Sequence, residues 1–234
     1  NLHRNLIYWL KENTSYGWVF SILLTIIGAI ISVVVVKRFS PEAGGGGIPY
    51  LEAVLQRFRV MNFKRLLPVK FFGGIIAIGS GLALGSQGPT VQMGGAVGDG
   101  VSRLLKVTER ERLTLISAGA GAGLAAAFNA PLSGLIFVLE EVRRDFQPIV
   151  FGAAFIAAVI ADIIARIGAG QFPVFSLPSY PVSPLGSLPI FAVMGVLAGL
   201  SGVIFNKSLL TSTKLFARIP KRHFTVAVAI VGGV

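Results

Sequence analysis

One stretch of eleven residues decides how this chain folds: Gly85-Ser86-Gln87-Gly88-Pro89-Thr90-Val91-Gln92-Met93-Gly94-Gly95. It lies between two apolar runs, and no acidic or basic residue occurs between Phe71 and Gly98. An uncharged span of that length is long enough to cross a lipid bilayer. We therefore place Gln87 at membrane depth rather than on a water-exposed surface.

The glycine and proline spacing at 85–89 predicts an interruption between two helices. Proline has no backbone N–H and favours the first turn of a helix, so we expect one helix to end near Leu84 and another, over residues 87–105, to start near Gly88. A chain break inside a membrane is tolerated only where it faces protein or a watery cavity. The unpaired N–H groups and the positive dipole end of the new helix predict an anion site made of backbone.

The composition is typical of an integral membrane protein. Of 234 residues, 53% are hydrophobic and 13% are charged, and the mean hydropathy is +0.77, whereas soluble domains carry about 25% charged residues. A soluble enzyme is excluded on this ground. The net charge of +11 marks cytoplasmic loops in a membrane protein more often than a nucleic-acid partner. The chain begins with Asn1 and ends at Val234 inside an apolar run, which favours a segment of a longer protein.

Several kinds of site have no sequence pattern here. The chain has no cysteine, hence neither a disulfide nor a thiolate metal site. No catalytic triad, metal-ligand spacing or nucleotide motif is visible; in particular, no Gly-Lys-Ser/Thr follows the glycines, which disfavours a phosphate loop. We expect no enzyme activity, no metal and no cofactor.

A second break precedes a helix that is too short to cross the membrane. Four consecutive glycines at 44–47 form a permissive turn, and Pro49 opens a helix that we expect over residues 49–56. If this helix start and the one at 85–89 point to one place, an anion meets two positive helix ends. Such a site avoids a full charge at mid-membrane, which would be costly and would hold the anion too tightly to release it.

The other spans are predicted from uncharged apolar runs: residues 17–36, 68–84, 113–139 with a break at 129–131, 148–167, 190–206 and a last one from 224. The run 168–189, with five prolines and no charge, is read as a linker-like loop.

Small residues at 118–123 predict close helix packing, and Asp162 and Arg166 share a helix face. Basic clusters fall on one membrane face, which the positive-inside rule makes cytoplasmic: Lys37/Arg38, a basic loop at 57–70, the turn at 103–112, Arg143/Arg144 and residues 207–222.

Four segments resemble the CLC family of chloride channels and transporters, in the family's order and near its spacing: Ala43-Gly-Gly-Gly-Gly-Ile-Pro49, Leu67-Pro-Val-Lys-Phe-Phe-Gly-Gly74, Gly85-Ser-Gln-Gly-Pro-Thr-Val-Gln92 and Gly123-Leu-Ala-Ala-Ala-Phe-Asn-Ala-Pro-Leu-Ser-Gly-Leu-Ile-Phe-Val-Leu-Glu-Glu141. The resemblance covers nearly the whole chain and roughly the first half of the family's transmembrane domain. It implies an all-α, polytopic fold with tilted, broken and half-membrane helices, and residues 1–234 as one transmembrane domain, the N-terminal part of a larger one. It also implies a homodimer in a lipid bilayer, with chloride or a similar anion as the ligand of each subunit's pathway.

The resemblance also assigns residues to the site, and the anion-binding and selectivity set is Gly45, Gly46, Gly47, Ile48, Pro49, Gly85, Ser86, Gln87, Gly88 and Pro89. Gly46 stands where the family has a serine hydroxyl that helps to hold the central anion, and Ser86 replaces a common basic residue. Gln87 stands at the gate, where the family has a glutamate that also carries protons. Glu141 matches the inner proton-transfer glutamate of the exchangers, and Glu140 and Glu52 match neighbouring inner acids.

Three classes of function compete. Because Gln87 cannot ionise, it can neither compete with an anion as a carboxylate nor carry a proton, and we predict passive or uncoupled anion flow. The alternative is a chloride/proton antiporter whose gating glutamate has been replaced by Gln87. A membrane scaffold without transport, with 85–89 as a mere packing kink, is the third class, and the twin half-helices argue against it. For Glu140 and Glu141, a helix end paired with Arg143 or Arg144 is the alternative to a proton role.

Overall fold

A computed structural model describes residues 17–144, 146–170 and 184–218. Within these ranges the chain forms helices and turns and no β-strand, so the predicted all-α fold is confirmed. The described residues belong to two compact units, one holding those up to residue 170 and the other holding residues 184–218. One transmembrane domain over residues 1–234 stays a prediction.

The helices of the first unit are α1 (Gly17–Phe39), α2 (Ile48–Leu55), α3 (Phe63–Gly79), α4 (Gln87–Leu105), α5 (Glu109–Phe128), α6 (Pro131–Phe137) and α7 (Pro148–Ala169). A 3-10 turn, Pro41–Ala43, precedes α2, and a π turn, Val138–Val142, follows α6. The second unit contains α8 (Leu188–Ala217), preceded by a 3-10 turn, Leu185–Ser187.

Helix α3 differs from its prediction at both ends. It begins at Phe63 and includes Pro68, so Lys64 and Lys70 are helical and do not belong to a basic loop. It ends at Gly79 rather than near Leu84, because Gly81 adopts φ +100° and the N–H of Leu82 returns to the carbonyl of Ala77 at 3.3 Å. This left-handed closure is a common way to end a helix, and it widens the break before α4 to residues 80–86.

The other helix breaks follow the prediction closely. Helix α2 starts one residue before Pro49, and α4 has the predicted bounds. Asn129, at φ +53°, ends α5, and Pro131 opens α6. A left-handed residue at the end of a helix and a proline at the start of the next favour such breaks.

The predicted loop at 168–189 is shorter than expected at both ends. Helix α7 continues through Ala169 and α8 begins at Leu188, while residues 171–183 lie outside the described residues. Helix α8 extends to Ala217 rather than 206, which places Lys207 and Lys214 on a helix. The basic residues Lys221 and Arg222 and the span predicted from 224 also lie outside the described residues.

Three helices in the described part of the chain are long and apolar enough to cross a membrane: Val19–Phe39, Pro148–Gly168 and Leu188–Leu215. Many of their large apolar side chains are exposed. Exposed apolar surface on this scale is expected to face lipid or further protein.

Helices α4 and α5 pack backbone against backbone. A Cβ on Gly94 would collide with the carbonyl of Gly119, and a Cβ on Gly119 would collide with that of Gly94. This contact confirms the close packing predicted from the small residues at 118–123. Leu51 of α2 is fully buried in the core formed with α4 and α5, so the short helix is anchored by its apolar face.

Candidate anion site

The first helix start is made of glycines in conformations that other residues rarely adopt. Gly45 has φ +72° and Gly47 has φ +88°. Gly47 is the N-cap of α2, no side chain caps this end, and the first helical bond runs from the N–H of Leu51 to Gly47 at 3.0 Å. The N–H groups of Ile48 and Tyr50 therefore have no acceptor within the helix.

The second helix start is uncapped in the same way. Ser86 is the N-cap of α4, but its side chain makes no capping bond, and the first helical bond runs from Thr90 to Ser86 at 3.0 Å. The Thr90 hydroxyl donates to the carbonyl of Gln87 at 2.8 Å and leaves the free N–H groups unmatched. The N–H groups of Gln87 and Gly88 thus have no acceptor within their helix.

Helix α5 shows what a capped start looks like in the same chain. The N–H of Glu111 donates to the Thr108 hydroxyl at 3.4 Å, and the N–H of Thr108 donates to the Glu111 carboxylate at 2.8 Å. This reciprocal arrangement satisfies two donors at the first turn. The side chains at the starts of α2 and α4 leave the corresponding donors available.

The two uncapped starts meet at Gly46 and Gly88. A Cβ built on Gly88 would collide with the carbonyl oxygen of Gly46, so only glycine fits at position 88. Gly47 has the same restriction, since its Cβ would lie 2.8 Å from both Cβ and Oε1 of Gln92. The fold therefore brings the predicted segments 45–49 and 85–89 together.

Solvent reaches much of this junction. Exposed members are Gly45, Gly46, Pro49, Gly85, Ser86 and Gln87; half-buried members are Ile48, Gly88 and Pro89, and Gly47 is buried. Gln87 is the first residue of α4, directly beside the contact with Gly46.

Two buried side chains that the sequence analysis did not assign hold the glycine segment. Lys70, only 6% exposed, donates from Nζ to the carbonyls of Ala43 and Gly45, both at 2.8 Å. Gln92, fully buried, donates from Nε2 to the carbonyl of Glu42 at 2.9 Å. A signal was present for Lys70, because it also falls within the apolar span predicted at 68–84, and a charge inside such a span indicates a role by default.

Two of the three predicted proton-pathway acids lie outside the helices that form the candidate anion site. Glu52 is half-buried on α2, and Glu140 and Glu141 are exposed on the π turn after α6. Among the ion pairs of the described residues, none joins these two acids to Arg143 or Arg144. Glu140 and Glu141 nevertheless lie in the turn that follows α6, as the helix-end alternative expects, and both that alternative and a role in proton transfer stay predictions.

Part of the basic turn at 103–112 is internally neutralised. The fully buried carboxylate of Asp99 accepts from Arg103 Nε at 2.9 Å and from Arg112 Nε at 2.6 Å. Arg103 also donates to the carbonyl of Met61 at 2.9 Å. Asp99 thus joins α4 to α5, and Arg103 links this pair to the segment before α3; the sequence analysis missed this role.

The predicted pair on α7 forms at 2.7 Å between Arg166 Nε and Asp162 Oδ2. Arg166 also donates from Nη2 to the carbonyl of Asn129 at 3.3 Å. A cation at the carbonyl end of a helix is favoured by the helix dipole. The pair therefore supports the end of α5.

Comparison with known proteins gives consistent results. The family model described as voltage gated chloride channel matches residues 28–234. The H(+)/Cl(-) exchange transporter ClcA of Vibrio parahaemolyticus is 43% identical over 223 residues, covering 93% of this chain and 48% of that protein. The ClcA protein of Vibrio cholerae is 42% identical over 234 residues, covering 96% of this chain and 50% of that protein.

Solved structures resemble the whole of the chain. The crystal structure of a slow cyanobacterial Cl-/H+ antiporter matches with a TM-score of 0.92 at 34% identity, covering 99% of this chain and 55% of that one. A eukaryotic CLC transporter matches with a TM-score of 0.80 at 22% identity, covering 99% and 43%, which shows likeness of fold alone. The chain spans about half the length of the curated relatives it matches.

Proposed function

Since this chain belongs to the voltage-gated chloride channel family, we propose that it supplies one half of a membrane pathway for chloride or a similar anion. The observation that carries the proposal is the contact of Gly88 with Gly46, which brings two uncapped helix N-termini together. Each N-terminus offers free N–H groups and about half a positive charge. The relatives' names, which specify chloride, support the same substrate class.

The anion would be held by backbone of residues 45–49 and 85–89. Partial charges bind more weakly than a buried lysine or arginine in direct contact would. Weak and multiple binding favours release as well as entry, which conduction requires. The exposed junction at Gly46 and Gln87 is consistent with ion access.

Gln87 at the gate favours passive or uncoupled flow in this sequence. Its carboxamide donates and accepts hydrogen bonds, but it does not release a proton at ordinary pH. Glu141, Glu140 and Glu52 would then be idle as inner proton groups. The alternative is a chloride/proton antiporter whose gating glutamate has been replaced by Gln87, and the names of the relatives favour that parent activity.

The surroundings of the pathway follow from the same reasoning. The exposed apolar side chains of the long helices are suited to contact with lipid and with further protein. We propose that this further protein is a second copy of the chain in a homodimer. The basic clusters would lie on the cytoplasmic side. Chloride is the ligand, and we propose neither a cofactor nor a nucleic-acid partner.

Paired measurements of chloride and proton flux from proteoliposomes test this function. The full-length protein is compared as wild type, as Gln87→Glu, and as Gln56→Glu, a matched control that adds a carboxylate at the exposed C-terminal end of α2. We expect chloride flux without protons in the wild type and the control, and coupled flux in Gln87→Glu. Uncoupled flux in all three would identify a passive channel and remove the antiporter alternative. Absence of chloride flux in every form would overturn the proposed function.

A further inference from the structure

Six of the eight carbonyl groups of residues 40–47, the segment that leads into α2, accept hydrogen bonds from donors inside the protein. Backbone N–H groups bind the carbonyls of Ser40, Pro41 and Gly47, and side chains bind those of Glu42, Ala43 and Gly45. The side-chain donors come from two different helices, Lys70 on α3 and Gln92 on α4. Both side chains are buried. Burying a polar group costs free energy unless it is hydrogen-bonded, and both of these groups bind this one segment.

The position of the Gly45 carbonyl fixes the direction of a neighbouring donor. In a planar trans peptide, the carbonyl of one residue and the N–H of the next point in opposite directions. Because Lys70 binds the Gly45 carbonyl at 2.8 Å, the Gly46 N–H must point away from Lys70. Gly46 is also the residue that contacts Gly88.

Glycine gives this segment no orientation of its own. Residues 44–47 have no side chain, and glycine occupies positive and negative φ about equally well, so a peptide flip at Gly45–Gly46 has little steric cost. A flip would replace an N–H donor with a carbonyl oxygen, which repels an anion. Gly46 has no hydroxyl that could compensate.

We propose that Lys70 and Gln92 are positioning residues that determine anion specificity: they bind the carbonyl oxygens of Glu42, Ala43 and Gly45, so that N–H groups face the ion. The inference rests on the proposed anion pathway. Lys70 orients the Gly45–Gly46 peptide. Gln92 holds Glu42 and packs against Gly47, at the point where α2 begins.

The buried amide of Gln92 supports this assignment. Its Oε1 atom has no hydrogen-bond partner among the described residues, although it is buried. A side chain retained for packing alone would avoid that cost. The presence of a buried amide at position 92 is explained by the hydrogen bond from Nε2 to the carbonyl of Glu42. This bond anchors the start of the segment that leads into α2.

The test uses the full-length protein in proteoliposomes and compares chloride flux with nitrate flux. The ratio of the two does not depend on the fraction of active protein, so partial misfolding leaves it unchanged. Losing oriented N–H donors penalises the more strongly hydrated chloride, and we expect Lys70→Met to lower the chloride-to-nitrate ratio about tenfold, the size expected from a hydrogen bond to a charged group. Gln92→Met is expected to change the ratio in the same direction.

Lys70→Arg and Lys64→Met are the matched variants. Arginine keeps donors at position 70 and should preserve the ratio, while Lys64 is exposed on the same helix and its loss should change nothing. An unchanged ratio in Lys70→Met, or equal losses in Lys70→Met and Lys70→Arg, would overturn the inference. If Lys70→Met does not fold, Lys70→Gln replaces it, because its side chain is too short to reach both carbonyls. The chloride-to-nitrate ratio should then fall in Lys70→Gln, and an unchanged ratio would overturn the inference. A wild type without anion flux would refute the proposed function instead.

Discussion

Gly88, at the start of α4, packs against the carbonyl oxygen of Gly46 in the segment that leads into α2. The contact joins two positions that are far apart in sequence, and it leaves no space for a side chain at residue 88. Both helices begin there without a side-chain cap. The geometry that brings the helix ends together therefore depends on a missing Cβ.

Gly88→Ala is expected to destabilise the protein and to reduce chloride flux. The new methyl group would collide with backbone at Gly46, and overpacking of this kind costs about 1–3 kcal/mol. Thermal unfolding in detergent and flux from proteoliposomes measure the two effects. Gly74→Ala is the matched control, because a Cβ there meets nothing within 4 Å. Equal tolerance of both substitutions would contradict the close contact.

Gly46→Ser is expected to strengthen chloride binding. A Cβ at Gly46 meets nothing within 4 Å, so the side chain fits and adds an O–H donor beside the two helix ends. A hydrogen bond to an ion is worth about 1.5–3 kcal/mol, which corresponds to roughly tenfold or more in affinity. Calorimetric titration with chloride measures it. Gly46→Ala isolates the hydroxyl, and equal affinity in the two variants would show that the hydroxyl does not reach the ion.

Asp99→Asn is expected to lower the free energy of unfolding by about 1–3 kcal/mol, because the neutral buried amide cannot replace both charge-assisted hydrogen bonds of the carboxylate. Asp99 is fully buried between Arg103 and Arg112. Glu109→Gln, which affects the exposed side of the Arg112 network, should cost less than about 1 kcal/mol. Thermal or denaturant unfolding in detergent compares them. A similar loss in both variants would mean that the burial of Asp99 is not decisive.

The start of α5 is expected to give a pH-dependent contribution to stability. Hydrogen bonds from the side chain and the backbone of Thr108 lower the pKa of Glu111 below its ordinary value of 4.5. A lowered folded-state pKa adds stability that is complete above the unfolded pKa and is lost as the pH falls through the folded pKa. The Tm difference between wild type and Glu111→Gln should therefore be largest above pH 4.5 and shrink on further acidification.

A Thr108→Ala background serves as the control for that measurement. Without the hydroxyl, one of the two hydrogen bonds to the carboxylate is lost. The effect of Glu111→Gln should then be smaller at every pH. A Tm difference that is the same at pH 3 and pH 7 in the wild-type background would refute the role of Glu111 ionisation.

Local sequence signals predicted three helix starts well, whereas the start of α3 was placed at Pro68, five residues after the helix begins at Phe63. Pro49, Pro89 and Pro131 fix the beginnings of α2, α4 and α6 because proline both suits the first turn and resists a continuing helix. The end of α3 was wrong by five residues: a Leu84 end follows from hydropathy, but the left-handed turn at Gly81 closes the helix at Gly79. Apolar runs mark the extent of a buried segment, and backbone hydrogen bonding decides where the helix stops.

The polar residues that organise the site were predicted less well. Lys70 was counted in a basic loop because it follows Lys64 and Arg65 in sequence, yet it lies inside α3 and binds Ala43 and Gly45. Gln92 and Asp99 are single polar residues in apolar surroundings. The partner of Gln92 and one partner of Asp99, Arg112, lie outside α4, and sequence spacing does not reveal such contacts. The other partner of Asp99, Arg103, lies four residues later on the same helix, a spacing that the sequence does show.

The sequence by itself determined that this is an all-α membrane protein with two glycine- and proline-interrupted helix starts, because hydropathy and backbone freedom are local properties. The tertiary structure alone decided that the two starts meet at Gly46 and Gly88, and that Lys70 and Gln92 hold the glycine segment between them. The physical reason is that glycine permits many backbone orientations and selects none. Contacts from α3 and α4, available only after the helices pack, select the one that the chain adopts.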